Sequence, residues 1–232
     1  MISSQPRQFV LDLAHRPALG VEDFLVSGSN AAAVALVDRW PDWVLASALV
    51  VGPRSTGKTH LAQVWRLRSK AVEVSAGALA ESAIGALQSS RALLIEDLDR
   101  GIADDRVLFH LLNMAREQNL SVLLTSARPP GELEVALPDL RSRLRALPMV
   151  AIEMPDEALL RAVLVKLFAD RQLAVEPQVV ERIALHMERS MSAAGAIVAE
   201  IDRRALALQR RVTRALATEV MVALHNGSEA GS

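Results

Sequence analysis

Two spacings of apolar residues alternate along this chain. Short apolar runs stand at 48–51, 92–95 and, interrupted only by Ser121, 120–124, each bounded by polar residues or glycine. Runs of that length and uniformity read as strands buried on both faces of a parallel sheet. Val72 and Val74 predict a shorter strand within 71–74, and 149–154 predicts another. Between the runs the spacing changes to three and four: Leu61, Ala62, Val64, Trp65 and Leu67 share one helical face, as do Val107, Leu108, Leu111, Leu112 and Ala115. Further helices are predicted at 31–40, with Ser29 or Asn30 as cap and Pro41 as stop, at 79–88, behind Asp104 or Asp105 as far as 118, and at 137–144.

Beyond Pro155 and Asp156 no strand pattern returns. Residues 157–171, 177–187, a stretch starting at Ser192 or Ala193 and ending near 211, and 213–224 carry only helical periods. Strand and helix alternate up to position 155 and helices alone follow. That order predicts an α/β parallel-sheet domain over 23–155 and a small C-terminal all-α domain over 156–224. Residues 1–22, interrupted by Pro6, Pro17 and Gly20, read as an extended arm, and 225–232, rich in Gly and Ser, as a disordered tail.

Composition removes several function classes. With 51% hydrophobic residues in 232, the chain can bury a core in each part, and a formal net charge of -1 argues against a strongly basic nucleic-acid binder. The chain has no cysteine, so disulfides and thiolate metal sites are excluded, which fits a reducing cytoplasm. No apolar run approaches the roughly 18 residues a membrane span needs, and the first residues lack a signal-peptide core. A soluble, cytoplasmic protein is expected.

The strongest chemical signal follows the first strand. Gly52-Pro53-Arg54-Ser55-Thr56-Gly57-Lys58-Thr59 fits G-x-x-x-x-G-K-[ST] between a strand and a helix that continues through His60. In such a loop backbone N–H groups converge on one concavity, the helix N-terminus adds positive potential, and Lys58 supplies a cation for terminal phosphates. Thr59 would hold Mg²⁺. The run 92–95 ends in Glu96 and Asp97, delivering two acids to the sheet edge where the loop opens, one suited to Mg²⁺ and the other to an attacking water. The next strand ends in Thr125 and Ser126 at the same edge, placing Ser126 as a sensor of the terminal phosphate. Three arginines, Arg141, Arg143 and Arg145, cluster on the helix at 137–144 and just beyond it. In the arm, Gln8, Leu11 and Leu13 form Q-x-x-L-x-L, which is similar to the short extended peptides that dock on the DNA-polymerase sliding clamp; an edge strand or a plain tail is the alternative.

The phosphate loop, the acidic strand end, the tract Leu123-Leu124-Thr125-Ser126-Ala127-Arg128-Pro129-Pro130 and the segment Leu140-Arg141-Ser142-Arg143-Leu144 together resemble the DnaA-type AAA+ replication initiators over about residues 20–224. The resemblance implies a P-loop AAA+ sheet domain with a helical lid, binding ADP or ATP with Mg²⁺ at their junction. The helix-turn-helix domain that follows the lid in an initiator has no counterpart in this sequence, so sequence-specific DNA binding is not expected. A clamp-type peptide ahead of a bare AAA+ module resembles the Hda-type regulators of that family. The sliding clamp and the DnaA initiator are then the implied partners, homo-oligomerisation is left open, and Arg143 is the implied finger that reaches a neighbouring subunit's nucleotide.

Departures from the family shape the expectation. Ser192 stands where a second sensor arginine is expected, with Arg189 the nearest basic residue upstream. The acid pair is Glu96 then Asp97 instead of Asp then Glu, and Ala127 replaces an aspartate. Nucleotide binding is expected to persist and autonomous hydrolysis to be weak. The favoured expectation is a regulator that promotes hydrolysis of initiator-bound ATP. The alternatives are an autonomous ATPase of helicase-loader type and an adaptor whose nucleotide is structural.

Overall fold

A computed structural model describes residues 24–208 and 211–229; the Gln8, Leu11 and Leu13 motif lies outside them. Five strands form one parallel sheet: β1 (Ser47–Val51), β2 (Val72–Ser75), β3 (Ala92–Glu96), β4 (Ser121–Ser126) and β5 (Met149–Ala151), in the spatial order β2-β3-β4-β1-β5. The chain leaves β1 across two later strands to reach β2, works back through β3 and β4, and then places β5 on the other side of β1. Loops at the carboxyl ends of β1, β3 and β4 therefore meet at one edge, where α/β sheets bind ligands.

Alternate residues of each buried strand feed two separate cores. On one face Leu49, Leu93, Ile95 and Leu124 pack with residues of α3 (Ser82–Ser90), α4 (Asp105–Gln118) and α5 (Pro138–Arg145). On the other, Ala48, Val50, Leu94 and Leu123 meet α1 (Ala31–Arg39) and α2 (Lys58–Ser69). Trp65 of α2 is the anchor there: it is fully buried, stacked on Trp43 at 5.5 Å and edge-on to Trp40 at 6.2 Å. After β5 the chain builds α6 (Glu157–Asp170), α7 (Pro177–His186), α8 (Met191–Leu208) and α9 (Arg214–Glu229) around their own core of Leu164, Phe168, Ile183, Val198, Ile201 and Val220.

Several boundaries differ from expectation, each for a local reason. Between β2 and α3 a short 3₁₀ turn at Ala76–Ala78 buries Leu79 in extended backbone, so α3 begins three residues late, at Ser82. β5 ends at Ala151, short of the expected 154, because Glu153 N donates to Ser29 O at 2.9 Å and draws the chain off the sheet. Asp104 caps α4 by accepting from Arg106 N and Val107 N, whereas Asp105 binds Ala136 N and Leu137 N and so ties α4 to α5. The expected disordered tail is corrected in part, since α9 runs on to Glu229. No helix among the described residues is long and apolar enough to cross a membrane.

Candidate functional site

The phosphate loop leaves β1 at Gly52, whose N–H donates to Ser126 O at 3.1 Å. Here the residue that follows β5 crowds the backbone: a Cβ on Gly52 would sit 2.3 Å from the carbonyl oxygen of Ile152. Gly57 enters α2 at φ +100, a conformation that a side chain would strain. Within the loop, Thr56 Oγ1 donates to Pro53 O at 2.9 Å. Lys58 is buried, and its ammonium donates to Gly52 O at 2.7 Å and Pro53 O at 2.8 Å. Burial pushes that ammonium's pKa down, while the carboxylates of Asp99, Asp97 and Glu96 oppose the shift. The lysine, the helix N-terminus and the glycine-shaped backbone thus face one concavity.

The acids that the sequence groups together part ways in space. Glu96 closes β3, is buried, and has one carboxylate oxygen, Oε1, with no hydrogen-bond partner. Desolvation raises its pKa, and the Thr59 hydroxyl of α2 pulls it back. A buried orphan oxygen beside a threonine hydroxyl suits Mg²⁺, which takes one or two protein ligands when phosphates supply others. Among the described residues no group of three or more His, Cys, Asp or Glu side chains forms an independent metal cluster. Asp97 adopts φ 62, gives its N–H to Thr125 Oγ1 at 3.1 Å, and turns its carboxylate to Arg100 Nε, 3.1 Å away. Glu96 and Thr59 come together; the Asp97 carboxylate pairs outward.

Ser126 is fully buried, but its hydroxyl serves its own turn, donating to Arg128 O at 2.6 Å and accepting from Arg128 N at 3.0 Å. Asp99 is the residue that sequence reasoning passed over. Its Oδ1 accepts from Ala127 N at 2.6 Å, so a carboxylate reaches this edge beside Ala127, where the resemblance implied an aspartate. The signal was available in E-D-x-D after an apolar strand: the 3₁₀ turn Leu98–Arg100 folds the last acid back to the edge.

The lid completes the site. Met191 N, at the start of α8, donates to Ser55 O at 2.9 Å, and Ser192 Oγ donates to Ser55 Oγ at 2.8 Å. Ser192 therefore touches the phosphate loop directly, while Arg189 is exposed. Between lid and loop lies a cavity of about 260 Å³, lined by Phe24, Thr56, Gly57 and His60 on one side and Leu159, Val163, Leu167, Met191 and Gly195 on the other. A mainly apolar slot that also carries Asn30, Lys166 and Asp170 and opens beside the candidate phosphate loop has the chemistry of a base-binding pocket. Arg143 stands apart: half-buried on α5, its Nη2 donates to Asn113 Oδ1 on α4 at 2.6 Å and to no residue of the loop edge. Its exposed neighbour Arg141 donates to Val135 O at 2.6 Å, and Arg145 is exposed.

The raised pKa of Glu96 makes a prediction. An acid whose folded pKa exceeds its unfolded value near 4.5 stabilises the fold below that pH and loses this contribution as pH rises through the folded value. The raised pKa therefore weakens the nucleotide-free fold at neutral pH relative to acid pH. Glu96→Gln is expected to raise the melting temperature at pH 7, with the gain vanishing in a melt at or below pH 4.5, and to weaken Mg²⁺-nucleotide binding.

No family model matches the chain. The DnaA chromosomal replication initiator of Cutibacterium acnes is 28% identical over 201 residues, which cover 75% of this chain and 40% of that protein. The chain thus spans less than half the length of the curated relatives it matches. Among solved structures, domain III of the Thermotoga maritima initiator DnaA superposes with a TM-score of 0.74 at 18% identity, covering 88% of this chain and 95% of that one. AMPPCP-bound DnaA from Aquifex aeolicus gives a TM-score of 0.65 at 20% identity, covering 79% of this chain and 65% of that one. Relatives and fold agree with the motif order along the sheet edge: in sequence the chain is similar to DnaA initiators, and its fold matches that of DnaA domain III.

Proposed function

We propose that this chain is an adenine-nucleotide-binding regulator of replication initiation. One observation carries the nucleotide reading: the Lys58 loop, the Glu96–Thr59 corner and the apolar cavity under the lid converge at the carboxyl edge of one sheet. The base of ADP or ATP would enter the cavity, its phosphates would meet Gly52–Thr59, and Thr59 and Glu96 would hold Mg²⁺. The ion, held there, would offset phosphate charge. Asp97, paired with Arg100, is poorly disposed to orient water, which supports weak intrinsic hydrolysis.

The regulatory part of the proposal rests on Arg143. A half-buried guanidinium fixed by Asn113, away from the chain's own loop edge, is suited to reach a nucleotide bound by a neighbour, here the DnaA initiator. The arm residues Gln8, Leu11 and Leu13 would tether the chain to the sliding clamp. The test is initiator ATP hydrolysis in a reconstituted system with DNA-loaded clamp. Wild type is expected to stimulate it. Arg143→Ala is expected to lose that stimulation, since fingers of this kind are worth on the order of 10³ to 10⁵ in rate, and Gln8→Ala with Leu11→Ala to lose clamp retention. Stimulation surviving Arg143→Ala refutes the finger; turnover by the purified chain alone instead supports an autonomous ATPase.

A further inference from the structure

Two charged side chains at the loop edge still lack a role. The Asp99 side chain is 6% exposed, while Arg54, on the phosphate loop itself, is 71% exposed. Asp99 uses Oδ1 to accept from Ala127 N, and its Oδ2 lies 3.9 Å from Arg54 Nη2. A carboxylate this deeply set needs donors and cations around it. It also acts on Lys58 more strongly than either Asp97 or Glu96, whereas Arg54 repels Lys58. The loop therefore carries two mutually repelling cations with one fixed anion beside them.

We propose that Arg54 is a second phosphate-contacting cation of the loop, and that Asp99 is the counter-ion it leaves to make that contact. The proposal rests on the nucleotide reading above. At 3.9 Å the Arg54–Asp99 pair is at the outer limit of contact and its arginine is largely solvated, so the pair holds the guanidinium weakly. A phosphoryl group offers planar, bidentate acceptors and more charge, which a guanidinium matches well. Asp99 keeps its bond from Ala127 N after Arg54 departs and still faces Lys58, so the exchange leaves no buried carboxylate unpaired. Asp99 thereby sets how readily the loop accepts phosphate.

The experiment titrates the full chain with fluorescent mant-ADP and Mg²⁺. Arg54→Ala is expected to weaken binding about tenfold, the size of one charge-assisted contact, with Arg54→Lys recovering part of the loss. Asp99→Asn keeps an oxygen for Ala127 N and removes only the rival charge, so binding is expected to tighten roughly two- to fivefold. In an Arg54→Ala background the same change is expected to give no tightening. Wild-type affinity in Arg54→Ala, alongside lost binding in Lys58→Ala, overturns the inference and leaves the nucleotide reading standing. Equal tightening by Asp99→Asn with or without Arg54 overturns it too, because Asp99 would then act only by repelling phosphate. Failure of the wild type to bind removes both. Arg54 is exposed, so its variants test the idea even if Asp99→Asn folds poorly.

Discussion

Alanine in place of Lys58 is expected to weaken ADP and ATP binding at least about 100-fold, the loss of two charge-assisted hydrogen bonds to phosphate at roughly 1.5 to 3 kcal/mol each. The side chain is already buried and aligned at the loop, with Gly52 O and Pro53 O accepting from its ammonium. Little conformational freedom remains to be lost when phosphates replace those carbonyls. The fold itself is expected to change little, because removing a desolvated cation offsets the two lost bonds. Calorimetric titration beside a thermal melt separates the two effects. A variant that binds nucleotide normally would refute the phosphate-loop assignment.

The second large effect belongs to Gly52→Ala. Its Cβ would meet Ile152 O at 2.3 Å and Ile152 C at 3.2 Å, and both are backbone atoms that cannot rotate away. Either the loop lifts from the sheet or β5 moves. With three residues at the sheet edge, paired only to β1, β5 is the element that gives way. A cost of about 2 to 4 kcal/mol is expected, shifting the melting temperature by roughly 5–10 °C. Hydrogen exchange should accelerate first in Met149–Ala151. The control is Gly85→Ala in α3, where a Cβ meets nothing within 4 Å and helix propensity favours alanine. If both variants melt alike, the close approach of Gly52 to Ile152 is not a constraint.

Most of the sheet was legible because the centres of its buried strands are apolar, and the alternation with helical spacing implied parallel pairing. The loop between β1 and α2 was legible as a candidate phosphate loop because two glycines and a lysine stand at fixed intervals between a strand and a helix. What stayed hidden depends on backbone turns that residue type does not announce. Asp97 takes a left-handed conformation that usually marks glycine, and this swings its carboxylate to Arg100. The adjacent turn returns Asp99 to the edge, where a reader of the strand end sees only the preceding pair. Ser126 likewise stands where expected, yet its hydroxyl closes the turn at Arg128. The cavity escaped notice because its far wall comes from α6 and α8, more than a hundred residues after the loop, and apolar residues there read only as helix core.

The foot of α8 rests on Ser55, inside the phosphate loop. That helix has 18 residues and so extends about 27 Å from its point of support. A tilt of about 5° at the foot would carry its far end by roughly 2 Å at that rise per residue. The helix is therefore a lever with its fulcrum at the site of charge. A rearrangement of the loop too small to alter the sheet would be amplified at the lid's distal surface, where a bound partner would read the loop's state as a displacement.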